Sequence, residues 1–206
     1  MEPNRLVLRR ETPADYAAAE QLTREAFWNV YRPGCTEHYV LHVLRDDPAF
    51  VPELDLVLEA DGRLIGHIVY MRARLSADDG RELPVMTFGP VSIDPAFQGR
   101  GCGRRLLEAS MARARELGAG ALCIEGNPDL YGRFGFEPAA GRGIRFHGEA
   151  EEAPYCLVCE LRPGYLDGVT GVYHTPAGYF VDEAEAEAFD RAFPPKRKER
   201  RPGQLV

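Results

Sequence analysis

The sequence has no apolar run of membrane-spanning length, and its opening, MEPNRLVLRR, lacks the apolar core of a signal peptide. Neither a membrane protein nor a secreted one is expected. Cysteine is sparse. Cys35, Cys102, Cys123, Cys156 and Cys159 are odd in number and scattered, which argues against a disulfide framework and points to the cytoplasm. Cys156-Leu-Val-Cys159 has C-x-x-C spacing, but it lies in a strand-like run where period two sends the two thiols to opposite faces. No second pair and no suitably spaced histidine pair completes a zinc site, so unpaired thiols and no metal are expected. No internal repeat is present. Basic residues are outnumbered 25 to 32, for a net charge of −7. The last eleven residues hold five basic side chains and one acidic one, so residues 1–195 carry −11. An acidic body argues against a nucleic-acid groove and mildly favours cationic substrates such as amines.

What is present is 206 residues, 45% of them hydrophobic, enough for one ordinary domain with a sizeable core and room for an extension. The chain is organised around Val85 to Leu117. An apolar run to Ile93 is ended by Asp94-Pro95, a glycine-rich turn follows at Gln98-Gly99-Arg100-Gly101-Cys102-Gly103, and then comes a helix stopped by Gly118. Strand, glycine loop and helix in that order offer backbone N–H groups and a positive helix end to an anion. No Lys-Ser or Lys-Thr follows these glycines, so the phosphate loop of nucleotide triphosphatases is excluded. The third glycine of a dinucleotide fingerprint is missing in either register.

Q-x-x-G-x-G, at Gln98, Gly101 and Gly103, resembles the signature of the GNAT superfamily of N-acetyltransferases. A second motif, Tyr131-Gly-Arg-Phe-Gly135-Phe136, is similar to that family's Y-x-x-x-G-F segment. The element order agrees. A strand at Arg5–Arg9 is followed by a helix with Thr12 as N-cap and Pro13 at N1, running to about Trp28, and then by a second helix from Glu37 to Arg45. Strands Leu54–Ala60 and Arg63–Leu75 flank the hairpin turn Asp61-Gly62, and the helix from Arg104 leads to a strand at Ala121–Glu125. Strands near Gly143–His147 and Tyr155–Leu161 finish the sheet. The resemblance covers roughly residues 5–161. It implies an α/β (α+β) fold with a mixed, mostly antiparallel sheet of about seven strands flanked by helices and splayed between the fourth and fifth.

The resemblance also implies a site. Acetyl-coenzyme A is the expected acyl donor, held at its pyrophosphate by Gln98, Gly99, Arg100, Gly101, Cys102, Gly103 and Arg104, and along its pantetheine arm by the backbone of Val91, Ser92 and Ile93. Gly89-Pro90 is consistent with a bulge before that stretch. Tyr131 is the expected catalytic acid at the sulfur. Asn127 is either a pantetheine contact or the N-cap that Pro128 needs. His67 and Glu125 are candidate bases, and Glu37 and His38 candidate substrate contacts, each with a structural explanation beside the functional one. The expected reaction is direct transfer to an amine. A non-catalytic acyl-coenzyme A sensor and a transferase of longer acyl groups stand as alternatives. Expected partners are the donor and an amine acceptor, with no nucleic acid and no membrane; a homodimer is left open. The expected organisation is a catalytic domain at 1–161, an extension at 162–195 and a basic, disordered tail at 196–206 after Pro194-Pro195.

Overall fold

Asp61 and Gly62 both take positive φ, +50° and +83°, and so close the tight turn that joins strands β2 (Leu56–Ala60) and β3 (Arg63–Ala77). In this computed structural model residues 5–150 and 152–204 are described. The chain divides into two compact units, Met1–Val69 with Gly89–Leu107 and Ala177–Val206, and Tyr70–Phe88 with Glu108–Pro176.

In the first unit β1 (Leu6–Arg10) pairs antiparallel with β2, β2 with β3, and β3 neighbours β4 (Glu82–Ile93). Leu56, Val57, Leu58 and Ile65 are fully buried, because helices cover both faces of these strands. On one face lies α3 (Cys102–Glu116). Gly66 packs closely there: a Cβ would come within 2.9 Å of Ile93, 3.2 Å of Leu58 and 3.4 Å of Leu106. On the other face lies α1 (Tyr16–Phe27), where Ser92 donates to the hydroxyl of Thr23 at 2.8 Å. The first turn of α1 differs from expectation. The helix starts at Tyr16 with Asp15 at the cap position and not Thr12: the Thr12 hydroxyl donates to the Asp15 carboxylate at 2.7 Å instead of accepting from a helix amide, and Arg9 grips both oxygens of the same carboxylate at 2.7 and 2.8 Å. The second helix is α2 (Glu37–Leu44).

The C-terminal stretch belongs to this unit. Helix α5 (Glu183–Asp190) is capped by Asp182, whose side chain accepts from the amides of Ala184 and Glu185. Residues 196–204, expected as a solvated tail, instead dock at the C-terminal end of α1. The carbonyl of Arg197 accepts from Trp28 Nε1 (3.0 Å) and Asn29 Nδ2 (3.1 Å), and the amide of Glu199 donates back to Asn29 Oδ1. The basic side chains point to acids already present, Lys196 to Glu25 and Lys198 to Glu187. Charge composition alone does not reveal main-chain partners of this kind.

In the second unit β4 pairs parallel with β5 (Ala121–Glu125) at Met86 and Leu122, and β5 pairs antiparallel with β8 (Cys156–Glu160). The parallel step requires the crossover that α3 supplies. Gly118, at φ +87°, ends that helix as expected. Two strands go beyond the expected seven: β6 (Glu137–Pro138), only two residues long and paired with β8, and β9 (Gly171–His174), which pairs with β3 and with β7 (Ile144–Phe146). The core of this unit gathers Leu75, Val85, Cys123, Ile144, Phe146, Val158 and Tyr173. Cys156 and Cys159 are buried and unbridged, as are the other three thiols.

Candidate functional site

Asp94 ends the apolar strand. Its side chain accepts from the amide of Ala96, and its own amide donates to the carbonyl of Ile65 at 2.8 Å. The side-chain amide of Gln98 then donates back to the carbonyl of Ile93 at 3.1 Å, so the loop that follows leaves the strand from a set position. Gly99 and Gly101 take φ of +71° and +81°, and at both a Cβ would meet nothing within 4 Å. Conformation, not crowding, therefore demands glycine here. The first intrahelical bond of α3 runs from the amide of Arg105 to the carbonyl of Gly101 at 3.0 Å. The amides before it lie at the positive end of a 15-residue helix. Gln98, Gly99, Arg100, Gly101 and Arg104 are exposed, whereas Cys102 is buried. The loop is thus an open backbone nest flanked by guanidinium groups, a fit for an anionic phosphate group.

Of the strand residues expected beside the loop, Val91 and Ile93 are half-buried, and Ser92 turns its side chain away to Thr23. What this stretch can offer a ligand is main chain.

In the second unit Asn127 caps helix α4 (Pro128–Tyr131), its Oδ1 accepting from the amide of Asp129 at 2.8 Å. Tyr131 ends the helix. Its ring lies 5.8 Å from Phe88 and 5.7 Å, edge on, from Phe136, and a Cβ at Gly126 would come within 2.5 Å of it. A glycine below and two aromatics beside hold a half-buried phenol in one orientation. Glu125, at the end of β5, stays exposed. Partial desolvation and then the charge of Glu149 hold its carboxyl above the usual range, against a bond from Thr175.

Both histidines singled out from the sequence are closed off. His38 has no exposed surface. Its Nδ1 is 3.4 Å from the thiol of Cys35, its Nε2 is 3.0 Å from Asp190, and its ring lies between Phe189 and Phe193. His67 is equally buried, with Nε2 2.8 Å from Asp55 and 3.5 Å from Glu11. Both rings are thus enclosed, each beside acidic partners from distant segments. Glu37 is half-buried. Its carboxylate accepts from the amide of Thr36 at 2.9 Å, and burial holds its pKa above the usual range.

Sequence reading missed the group around His67. Glu11, Asp55 and His67 bring three ligating atoms within 4.8 Å of one another. Arg45 grips both oxygens of Glu11 at 3.0 Å and reaches Glu20 at 2.6 Å, so the cluster already carries its own cation and functions as an ion-pair network. Burial opposes ionisation of Glu11, but bonds from His67, Asp55 and Arg45 bring it down to about 2. Burial lifts Asp55 to about 6. Burial also works against His67, and its two carboxylate partners outweigh it and raise the imidazole. Spacing in the sequence, 11, 45, 55 and 67, gives no sign of this grouping.

Among the described residues no helix is long and apolar enough to cross a membrane. The family model for the acetyltransferase (GNAT) domain matches residues 7–139. The uncharacterized N-acetyltransferase YhbS of Escherichia coli (strain K12) is 29% identical over 171 residues, covering 82% of this chain and 96% of that protein. The crystal structure of YhbS from Escherichia coli in complex with CoA superposes with a TM-score of 0.74 at 27% identity, over 87% of this chain and 94% of that one. A GNAT family acetyltransferase from Brucella melitensis, in complex with acetyl-CoA, gives 0.68 at 29% identity, over 85% and 99% of the two chains.

Proposed function

This chain belongs to the GNAT acetyltransferase family, and from that premise we propose that it moves an acetyl group from acetyl-coenzyme A to a primary amine of a small molecule or peptide by direct attack. The observation that carries the reading is the loop from Gln98 to Arg104, a glycine nest at the head of α3. Two relatives of similar length were crystallised with CoA and acetyl-CoA, which supports the same donor here.

In this reading the loop amides receive the pyrophosphate, with Arg100 and Arg104 supplying countercharge, and the main chain of Val91 to Ile93 lies along the pantetheine arm. Asn127 serves first as the cap that presents Tyr131. The amine nitrogen attacks the thioester carbon, and the carbonyl electron pair moves to oxygen. Collapse of that adduct breaks the carbon–sulfur bond, and Tyr131 delivers its phenolic proton to the leaving thiolate. With both histidines enclosed, Glu125 is the group that takes the proton from the amine. A carboxyl raised above its usual range is the better base at neutral pH. Glu37, on the first turn of α2, is the acceptor-side contact.

Calorimetry with coenzyme A tests the reading. Wild type should bind, and Gly101→Glu, which adds bulk and negative charge where the phosphates sit, should bind at least tenfold more weakly, a difference of about 1.4 kcal/mol. Equal affinity in both proteins rejects the assigned loop. An amine library scored by release of free thiol then identifies the acceptor.

A further inference from the structure

Beyond the stretch that the family model matches, the chain returns to β4. Tyr179, at the end of a 3-10 turn Ala177–Tyr179, donates its hydroxyl to the carbonyl of Gly89 at 3.0 Å. Gly89 sits at φ +138°, outside strand geometry, and Pro90 has no N–H to give. Regular ladder bonding is therefore interrupted at this point, and a side chain from the far end of the sequence takes the carbonyl.

The seat of Tyr179 is held independently of that bond. Gly178 lies so tight against α2 that a Cβ would come within 2.6 Å of Asp47 and 2.9 Å of Leu44. After it, Glu183 pairs with Arg32 at 2.6 Å and Asp190 with Arg24 at 2.6 Å. The hydroxyl is delivered by a segment anchored on both sides. Downstream of Gly89, the strand is tied at Ser92 to Thr23, at Ile93 to Gln98 and at Asp94 to the carbonyl of Ile65. The bond from Tyr179 holds the other end of the same stretch.

We infer that Tyr179 is a positioning residue: it sets the backbone of Gly89 to Ile93 in the arrangement that receives the pantetheine arm. The inference rests on the donor reading proposed above. It gives the C-terminal segment a part in cofactor binding that the glycine loop does not supply.

The test is Tyr179→Phe in the full chain, which keeps the ring and removes the hydroxyl. Two ligands separate the effects: acetyl-coenzyme A, and 3′-phosphoadenosine 5′-diphosphate, which keeps the phosphates and lacks the pantetheine arm. Loss of one hydrogen bond should weaken acetyl-coenzyme A by about 2- to 10-fold and leave the nucleotide unchanged. Equal weakening of both ligands with a lowered Tm means general support of the fold and overturns the inference, as does unchanged binding of both. A ligand-free arm runs alongside. Amide exchange at Gly89, Val91, Ser92 and Ile93 should quicken in the variant while β2 stays protected, and unchanged exchange overturns the inference by itself. A wild type that bound neither ligand would refute the donor reading, and the exchange arm would still decide whether Tyr179 orders this strand.

Discussion

Arg24 of α1 and Asp190 of α5, 166 residues apart in sequence, meet at 2.6 Å with the arginine side chain 1% exposed. The guanidinium also lies 4.3 Å from the Trp28 ring, and the same carboxylate sits 3.0 Å from His38. One acid therefore serves two enclosed nitrogen groups. Asp190→Ala would leave a buried cation without its counter-ion, at a cost of about 3 kcal/mol or more. Glu187→Ala breaks only the exposed pair with Lys198 and should cost less than about 1 kcal/mol. Urea melts of the two variants check this, and coincident midpoints would count against the assignment.

Ending the chain at Pro195 should also destabilise it. Trp28 Nε1 and Asn29 Nδ2 lose the carbonyl of Arg197, and Asn29 Oδ1 loses the amide of Glu199. At about 1 kcal/mol for each bond, a loss of roughly 2–3 kcal/mol is expected, visible as a lower Tm. An unshifted melt would mean that the segment contributes nothing in solution.

The parts of this molecule that read plainly in sequence are those in which local chemistry repeats over a short distance. Asp61-Gly62 demanded a hairpin, Gln98 to Gly103 a loop opening a helix, and Gly118 a helix stop, and the positive φ of Asp61, Gly62, Gly99, Gly101 and Gly118 is each residue's own property. Thr12 was misread as a cap because its hydroxyl donates to the Asp15 side chain instead of accepting from a helix amide. His38 and His67 looked like chemistry because a lone histidine carries no mark of its surroundings. Their partners, Asp190 for one and Asp55 with Glu11 for the other, come from distant segments. Tyr179 was invisible for the same reason: its partner is a main-chain carbonyl 90 residues away, which no side-chain pattern records.

The buried network predicts an acid limb of stability. Glu11, held down to about 2, contributes stability that is complete above its ordinary value of 4.5 and is lost as pH falls toward 2. Asp55 and His67 are shifted upward and act in the opposite sense: their contributions are complete at low pH and fall as pH rises through their raised values. Neither therefore masks the limb below pH 4. Glu11→Gln should start with a lower Tm at pH 6 and lose less of it between pH 4.5 and 2.5 than wild type does. Parallel curves for the two proteins would show that Glu11 does not carry the limb.

The five thiols should be inert in the native protein. All are buried, and burial pushes Cys35 and Cys123 well above the usual thiol range and Cys156 up to about 12. Because the thiolate is the reactive form, an aromatic disulfide reagent at pH 8 should titrate almost none of the five until denaturant is added. Cys35 is the one to watch, since its neighbour His38 offers a place for the thiol proton. Rapid native labelling confined to Cys35 would show that His38 activates it despite its burial.

Tyr131 is the last and most specific prediction. Its ring is wedged between Phe88 and Phe136 above Gly126, so the phenol is presented in one direction without a search through rotamers. A free phenol titrates near 10, so at neutral pH it holds a proton to give as charge grows on the departing sulfur. Tyr131→Phe preserves the three ring contacts and removes the hydroxyl that carries that proton. With the acceptor found by the amine screen, kcat should fall by roughly 10²-fold or more. Acetyl-coenzyme A affinity and Tm should stay close to wild type, because the lost interaction belongs to the transition state. A variant that binds the donor weakly at normal kcat would make Tyr131 a cofactor contact. One with normal binding and normal kcat would reduce it to packing, and the thiolate would then take its proton from water.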